Sequence, residues 1–84
     1  MNKKQFVLDF IKKHKIAVIS TVNASNKPES AVLEFGGTDN LELVFDTHIN
    51  SRKYRNLKGN KNISFVIGWD ENITVQYEGV AEEI

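Results

Sequence analysis

A short polar segment in the middle of the chain carries residue types that bind phosphate. It contains Asp46 and Thr47, continues to Ser51, and ends in the cations Arg52 and Lys53. Arginine presents a planar fork that matches phosphate oxygens, and lysine adds a point charge. The hydroxyl groups of Thr47 and Ser51 can supply further hydrogen bonds. The chemistry that these residues predict is the binding of an anion.

The elements expected around this segment favour the same chemistry. A strand is predicted to end near Thr47, and a helix to begin at Asn50 or Ser51, since either side chain is a good N-cap. Gly59 is predicted to end that helix. The first turn of a helix has free N–H groups and the positive end of the helix dipole, which attract anions. His48, in the loop before the helix, could touch a ligand.

The same helix has a second interpretation, as an ordinary surface helix. Tyr54 and Leu57 are three residues apart and can dock it. Its basic residues would then face water: Arg52, Lys53, Arg55 and Lys58. On spacing alone this solvated face is the better interpretation, because runs of charge on helices are usually exposed.

Composition indicates one small globular domain over residues 1–84, with 40% hydrophobic and 26% charged residues. The formal net charge of zero argues against a nucleic-acid partner. The sequence has neither a membrane-length apolar run nor a signal-peptide core, so a cytoplasmic location without membrane attachment is expected. There is no cysteine, and His14 and His48 lack metal-site spacing, so neither a disulfide nor a metal site is predicted.

The remaining sequence predicts a mainly β member of the α+β class. An amphipathic helix is expected within residues 2–14, and a short second helix after the third strand. The predicted strands cover residues 16–22, 29–35, 41–47, 62–69 and 73–84, the last bent at Gly79. Short turns favour antiparallel hairpins, so the predicted architecture is an incomplete Greek-key barrel.

The predicted core draws on three strands, with Phe6 and Phe10 of the first helix packed over it. Its members are Leu41, Leu43, Phe45, Ile63, Phe65, Ile67, Val75 and Tyr77. The long final strand has no predicted partner on its outer side, and such an edge invites association. Either a second copy covers it, giving a homodimer, or the chain is shorter than the domain it came from.

Four segments together resemble the pyridoxamine 5′-phosphate oxidase-like FMN-binding split barrels. They are residues 16–22 with the polar turn to Pro28, residues 44–47, residues 51–53, and residues 75–82. The helix-opening Ser-Arg-Lys and the later Gly-x-Ala-Glu are together fairly specific. The resemblance implies an antiparallel split β-barrel with FMN held at a homodimer interface, and an FMN-dependent oxidoreductase in which the flavin carries the redox chemistry. No catalytic residue is assigned.

The resemblance also implies the cofactor-binding residues. Arg52 and Lys53 would grip the FMN phosphate, with Asp46, Thr47 and Ser51 in the same segment. The strand residues just before that loop would lie along the flavin ring. A glutamine that contacts the flavin in the family aligns best with Thr74, and Gln76 lies two residues on, on the same strand face.

The sequence departs from the family's oxidases in two respects. Those enzymes carry basic residues at both ends of the second strand, near Ser30 and Phe35 here, and Glu34 would repel a phosphate nearby. The last strands of the family's barrel have no counterpart in this sequence. The substrate is therefore not predicted. A cofactor-free binding or dimerisation module, and a haem- or deazaflavin-binding relative, stay as alternatives that a visible absorbance spectrum would separate.

Overall fold

A computed structural model describes residues 2–84, which form two helices and two antiparallel sheets. The mainly β class predicted from sequence is confirmed. In chain order the elements are α1 (Lys3–Lys12), β1 (Ile16–Val22), β2 (Pro28–Glu34), β3 (Gly36–Gly37), β4 (Leu43–Val44), α2 (Arg52–Gly59), β5 (Asn62–Ile67) and β6 (Val75–Val80). Within this described range, no helix has the length and apolarity needed to cross a bilayer.

The main sheet has the strand order β2-β1-β5-β6, and every neighbouring pair is antiparallel. β1 and β2 pair along their whole length, from Ile16 opposite Glu34 to Val22 opposite Pro28. β5 returns beside the other edge of β1, and the short strands β3 and β4 form a separate ribbon. In residues 2–84 the sheet is open, with β2 and β6 at its edges.

The core lies on one face of the main sheet because side chains alternate along each strand. Ala17 and Ile19 of β1 and Phe65 and Ile67 of β5 have no exposed surface. The cluster is completed by Phe10, Ile11, Leu33 and Phe35. The centroid of the Phe65 ring lies 5.5–6.3 Å from the ring centroids of Phe35, Phe45 and Tyr77.

The first helix covers this core with Val7, Phe10 and Ile11. Asn2 caps it by accepting a hydrogen bond from the backbone N–H of Gln5 at 2.8 Å. Phe10 and Ile11 are buried, but Phe6 is 49% exposed. The prediction that Phe6 packs over the core is therefore wrong, because its neighbour Val7 is the residue of that turn that faces the core.

Three predicted strands are shorter in the structure, and the one predicted at 62–69 ends at Ile67. In the segment predicted at 41–47, Leu41 has a φ of 62° and belongs to a turn, so only Leu43–Val44 pair with a neighbouring strand. The predicted burial still holds, since Leu41, Leu43 and Phe45 all pack against the core. The final strand ends at Val80, after which Glu83 accepts hydrogen bonds from two residues of α2, Tyr54 and Lys58.

Candidate functional site

The loop before α2 is held by hydrogen bonds around Ser51. Ser51 is the N-cap, and its Oγ accepts a hydrogen bond from the backbone N–H of Tyr54 at 3.2 Å. The hydroxyl groups of Thr47 and Ser51 share a hydrogen bond of 2.9 Å. The Nδ1 atom of His48 accepts from the backbone N–H of Asn50 at 3.1 Å. The side chains of Thr47, His48 and Ser51 therefore fix the backbone just before α2 and orient the first turn of the helix.

The first turn of α2 borders a pocket of 140 Å³ that opens between the helix and the edge of the main sheet. Its lining residues are Thr21, Glu29, Ser30, Ala31, Arg52, Lys53 and Asn56. Arg52 and Lys53, the two predicted phosphate-binding cations, thus lie at one pocket. The Arg52 side chain is largely exposed, and Lys53 is half-buried.

A carboxylate that the sequence analysis did not select also lines this pocket. Glu29 Oε1 accepts a hydrogen bond from Asn56 Nδ2 at 2.8 Å, and its Oε2 accepts from Asn23 Nδ2 and an Arg52 guanidinium nitrogen, each at 3.3 Å. The Asn56 and Asn23 amides, followed by the charges of Arg52 and Arg55, hold the pKa of Glu29 below its ordinary value of 4.5 despite some desolvation. Glu29 is therefore ionised at neutral pH.

Asn56 connects the helix to the sheet at the inner end of the pocket. It is 8% exposed, and its Nδ2 also donates to the Thr21 hydroxyl at 2.9 Å. Asn56 falls one turn after Arg52, so it lies on the same helix face. That spacing was the signal available in the sequence. No comparable signal marked Glu29, which reaches the pocket because it pairs with Thr21 across β1 and β2.

The pocket partly fits a phosphate group. A guanidinium and an ammonium are suitable donors. The Ser30 hydroxyl points to the other face of the sheet, where it shares a 2.8 Å hydrogen bond with Ser20. Glu29 opposes the two cations with a negative charge. Glu34 does not line this pocket, since it lies five residues further along β2, at roughly 3.3 Å per residue.

The other predicted cofactor residues lie away from this pocket. Asp46 is exposed, and the Thr74 hydroxyl donates to the backbone carbonyl of Ile67 at 3.3 Å. Gln76 is exposed on β6, opposite Val66 of β5. Strands β1 and β5 separate β6 from β2, whose residues line the pocket. A single chain therefore does not bring Thr74 and Gln76 together with the two cations.

A family model described as pyridoxamine 5′-phosphate oxidase matches residues 4–84. The chain belongs to the pyridoxamine 5′-phosphate oxidase family. A curated relative of the chain is a pyridoxine/pyridoxamine 5′-phosphate oxidase from Alcanivorax borkumensis, which is 35% identical over 51 residues. That alignment covers 61% of the chain but only 24% of the relative. The resemblance inferred from the motifs is confirmed at the level of the family.

Solved structures show the same fold. General Stress Protein 26 from Bacillus anthracis superposes with a TM-score of 0.84 at 27% identity, covering 95% of this chain and 61% of that protein. A conserved hypothetical protein from Mycobacterium tuberculosis gives 0.81 at 24% identity, with coverages of 98% and 52%. The haem storage protein HutZ from Vibrio cholerae gives 0.77 at 22% identity, with coverages of 100% and 64%. These likenesses confirm the predicted split-barrel type, and the last two show the fold alone.

Proposed function

We propose that this protein binds FMN and that the pocket at the start of α2 receives the FMN phosphate. The observation that carries the proposal is that both cations of the helix-opening Ser-Arg-Lys line this one pocket. A purely solvated helix face gives no reason for Lys53 to be half-buried beside the sheet edge. Membership of the family, whose curated relative acts on phosphorylated compounds by its name, supports the same assignment.

The roles of the pocket residues follow from their chemistry. Arg52 and Lys53 would donate charge-assisted hydrogen bonds to the phosphate, each worth about 1.5–3 kcal/mol. The positive end of the α2 dipole adds to their attraction. Thr47 and Ser51 would act by holding the loop that presents them, since their hydroxyl groups already bond to each other. Bound FMN would supply the redox chemistry of an oxidoreductase whose substrate is unassigned.

We further propose that a homodimer completes the site. Thr74 and Gln76 lie across the sheet from the phosphate pocket of their own chain. They could therefore contact a flavin bound at that pocket only from the second chain of a dimer. The face of the sheet opposite the core offers an apolar surface for such a copy, formed by Val18, Val32 and Val66 in register. The ligand would then lie at the interface between two chains.

The experiment is a titration of purified protein with FMN and with riboflavin, which lacks the phosphate, followed by quenching of flavin fluorescence. Arg52→Ala should weaken FMN binding by about tenfold or more. Arg52→Lys should restore only part of it, because an ammonium cannot reproduce the guanidinium fork. Arg55→Ala is the matched control, since Arg55 is an exposed arginine of the same helix outside the pocket lining.

Riboflavin should bind weakly and respond little to any of these substitutions. Equal FMN affinity of wild type and Arg52→Ala would refute the phosphate assignment. The visible spectrum of the purified protein tests the alternatives: a Soret band would indicate haem, the ligand named for the Vibrio cholerae neighbour. A spectrum without flavin or haem bands, together with no response to added FMN, would favour a cofactor-free module.

A further inference from the structure

Glu29 places a negative charge where the proposed function requires a phosphate. We propose that Glu29 is an internal counter-anion that competes with the ligand phosphate for Arg52 and thereby limits the affinity of the pocket for phosphorylated ligands. This inference rests on the proposed anion site and names the residue that tunes it. It makes Glu29 a determinant of affinity that acts through Arg52.

The carboxylate is the fixed member of the pair, and the guanidinium is the movable one. Asn56 and Asn23 both donate amide hydrogen bonds to Glu29, so its position does not depend on Arg52. Its side chain is 22% exposed, whereas that of Arg52 is 67% exposed. Arg52 reaches Glu29 Oε2 at 3.3 Å from the solvent side. An arriving phosphate must therefore draw the guanidinium away from Glu29 or bind beside the carboxylate.

The charges of the pocket lead to the same conclusion. Its ionic lining residues are Arg52, Lys53 and Glu29, whose charges sum to one positive charge. A phosphate monoester carries about 1.5 to 2 negative charges at neutral pH, so the pocket does not neutralise it fully. Removing the carboxylate would free Arg52 and leave two positive charges facing the ligand.

Glu29→Gln tests the inference because it removes the charge and keeps an oxygen that Asn56 can donate to. FMN should bind about fivefold or more tightly, since the phosphate no longer competes with a carboxylate that lies within a few ångströms of the Arg52 guanidinium. Inorganic phosphate, followed through the backbone amide shifts of residues 51–53, should bind more tightly by a similar factor. Riboflavin affinity should not change. Glu34→Gln, an exposed carboxylate on the same strand, is the matched control and should leave all three affinities unchanged.

A separate measurement tests whether Glu29 acts through Arg52. The gain from Glu29→Gln should shrink when it is measured in an Arg52→Ala background, as a double-mutant cycle reveals. A merely structural role would instead lower the thermal midpoint and weaken FMN and riboflavin alike. Glu29→Ala serves as a second variant: our inference requires that it too tightens phosphate binding, even if it lowers the midpoint. Unchanged or weaker phosphate and FMN affinity in the folded variants would overturn the inference.

The two ligands separate this inference from the proposed function. Tighter inorganic phosphate binding without any FMN binding would sustain the role of Glu29 and refute FMN as the ligand. Arg52-dependent FMN binding without a gain in Glu29→Gln would sustain FMN and refute the counter-anion. Failure of wild type and both Glu29 variants to bind phosphate at tens of millimolar, together with no FMN binding, would overturn both.

Discussion

Replacing Phe65 with alanine would remove the largest fully buried side chain in the described chain. Phe65 lies at the middle of β5, and its backbone pairs with Ile19 on one side and Tyr77 on the other. Its ring also contacts Phe45 in an edge-on arrangement, with the centroids 5.5 Å apart. The substitution would therefore open a cavity at the point where both neighbouring strands and the loop before α2 meet.

The expected cost can be worked from these contacts. Replacing a fully buried phenylalanine with alanine typically lowers the free energy of unfolding by about 3–5 kcal/mol. Three aromatic neighbours place Phe65 toward the upper end of that range, because favourable aromatic pairs add about 0.5–1.5 kcal/mol beyond area burial. An 84-residue domain has a total stability of about 4–13 kcal/mol at typical per-residue values. Phe65→Ala should therefore remove a large part of the stability.

Urea unfolding followed by far-ultraviolet circular dichroism measures this loss. Phe65→Leu, which fills much of the cavity, should cost only roughly 1–2 kcal/mol and keeps the test informative if the alanine variant is unfolded. Phe6→Ala is the matched control, because Phe6 is 49% exposed and should cost less than about 1 kcal/mol. A cost for Phe65→Ala below about 1 kcal/mol, or equal to that of Phe6→Ala, would refute the assignment of the core face.

Two further predictions concern a glycine contact and assembly. Gly68→Ala should lower stability by roughly 1–3 kcal/mol, because Gly68 has a φ of +74° and an added Cβ would lie 2.5 Å from the Phe10 ring. Gly36→Ala is the control, since Gly36 has open space around it, and equal thermal midpoints of the two variants would contradict the prediction. Sedimentation should give a homodimer at tens of micromolar protein. Val32 is 64% exposed in the single chain, on the face of the sheet opposite the core, so Val32→Asp should yield a folded monomer. A wild-type monomer would contradict the proposed dimer.

Local patterns in the sequence predicted several elements closely. The β-branched run predicted β1 with the bounds that the structure has, Ile16–Val22. The N-cap preference predicted a helix start at Asn50 or Ser51, and Ser51 is the cap. Alternation in residues 41–47 predicted correctly which side chains face the core, but the strand predicted over that whole segment is wrong. Alternation reports burial, whereas a strand also needs a partner, and β4 finds only the short β3.

The residues of the candidate site also differ in whether a local pattern in the sequence could predict them. Residue type and helix position were sufficient to select Arg52 and Lys53, because the chemistry of a basic helix N-terminus is local. The spacing of Asn56 from Arg52 was a local signal too, but Glu29 could be placed beside them only by the register of β1 with β2 and by the packing of α2 on β1. Sequence alone therefore determined the family and the cations of the pocket. Tertiary structure decided that a fixed carboxylate faces them, because Glu29 and Arg52 are 23 residues apart and meet only across folded elements.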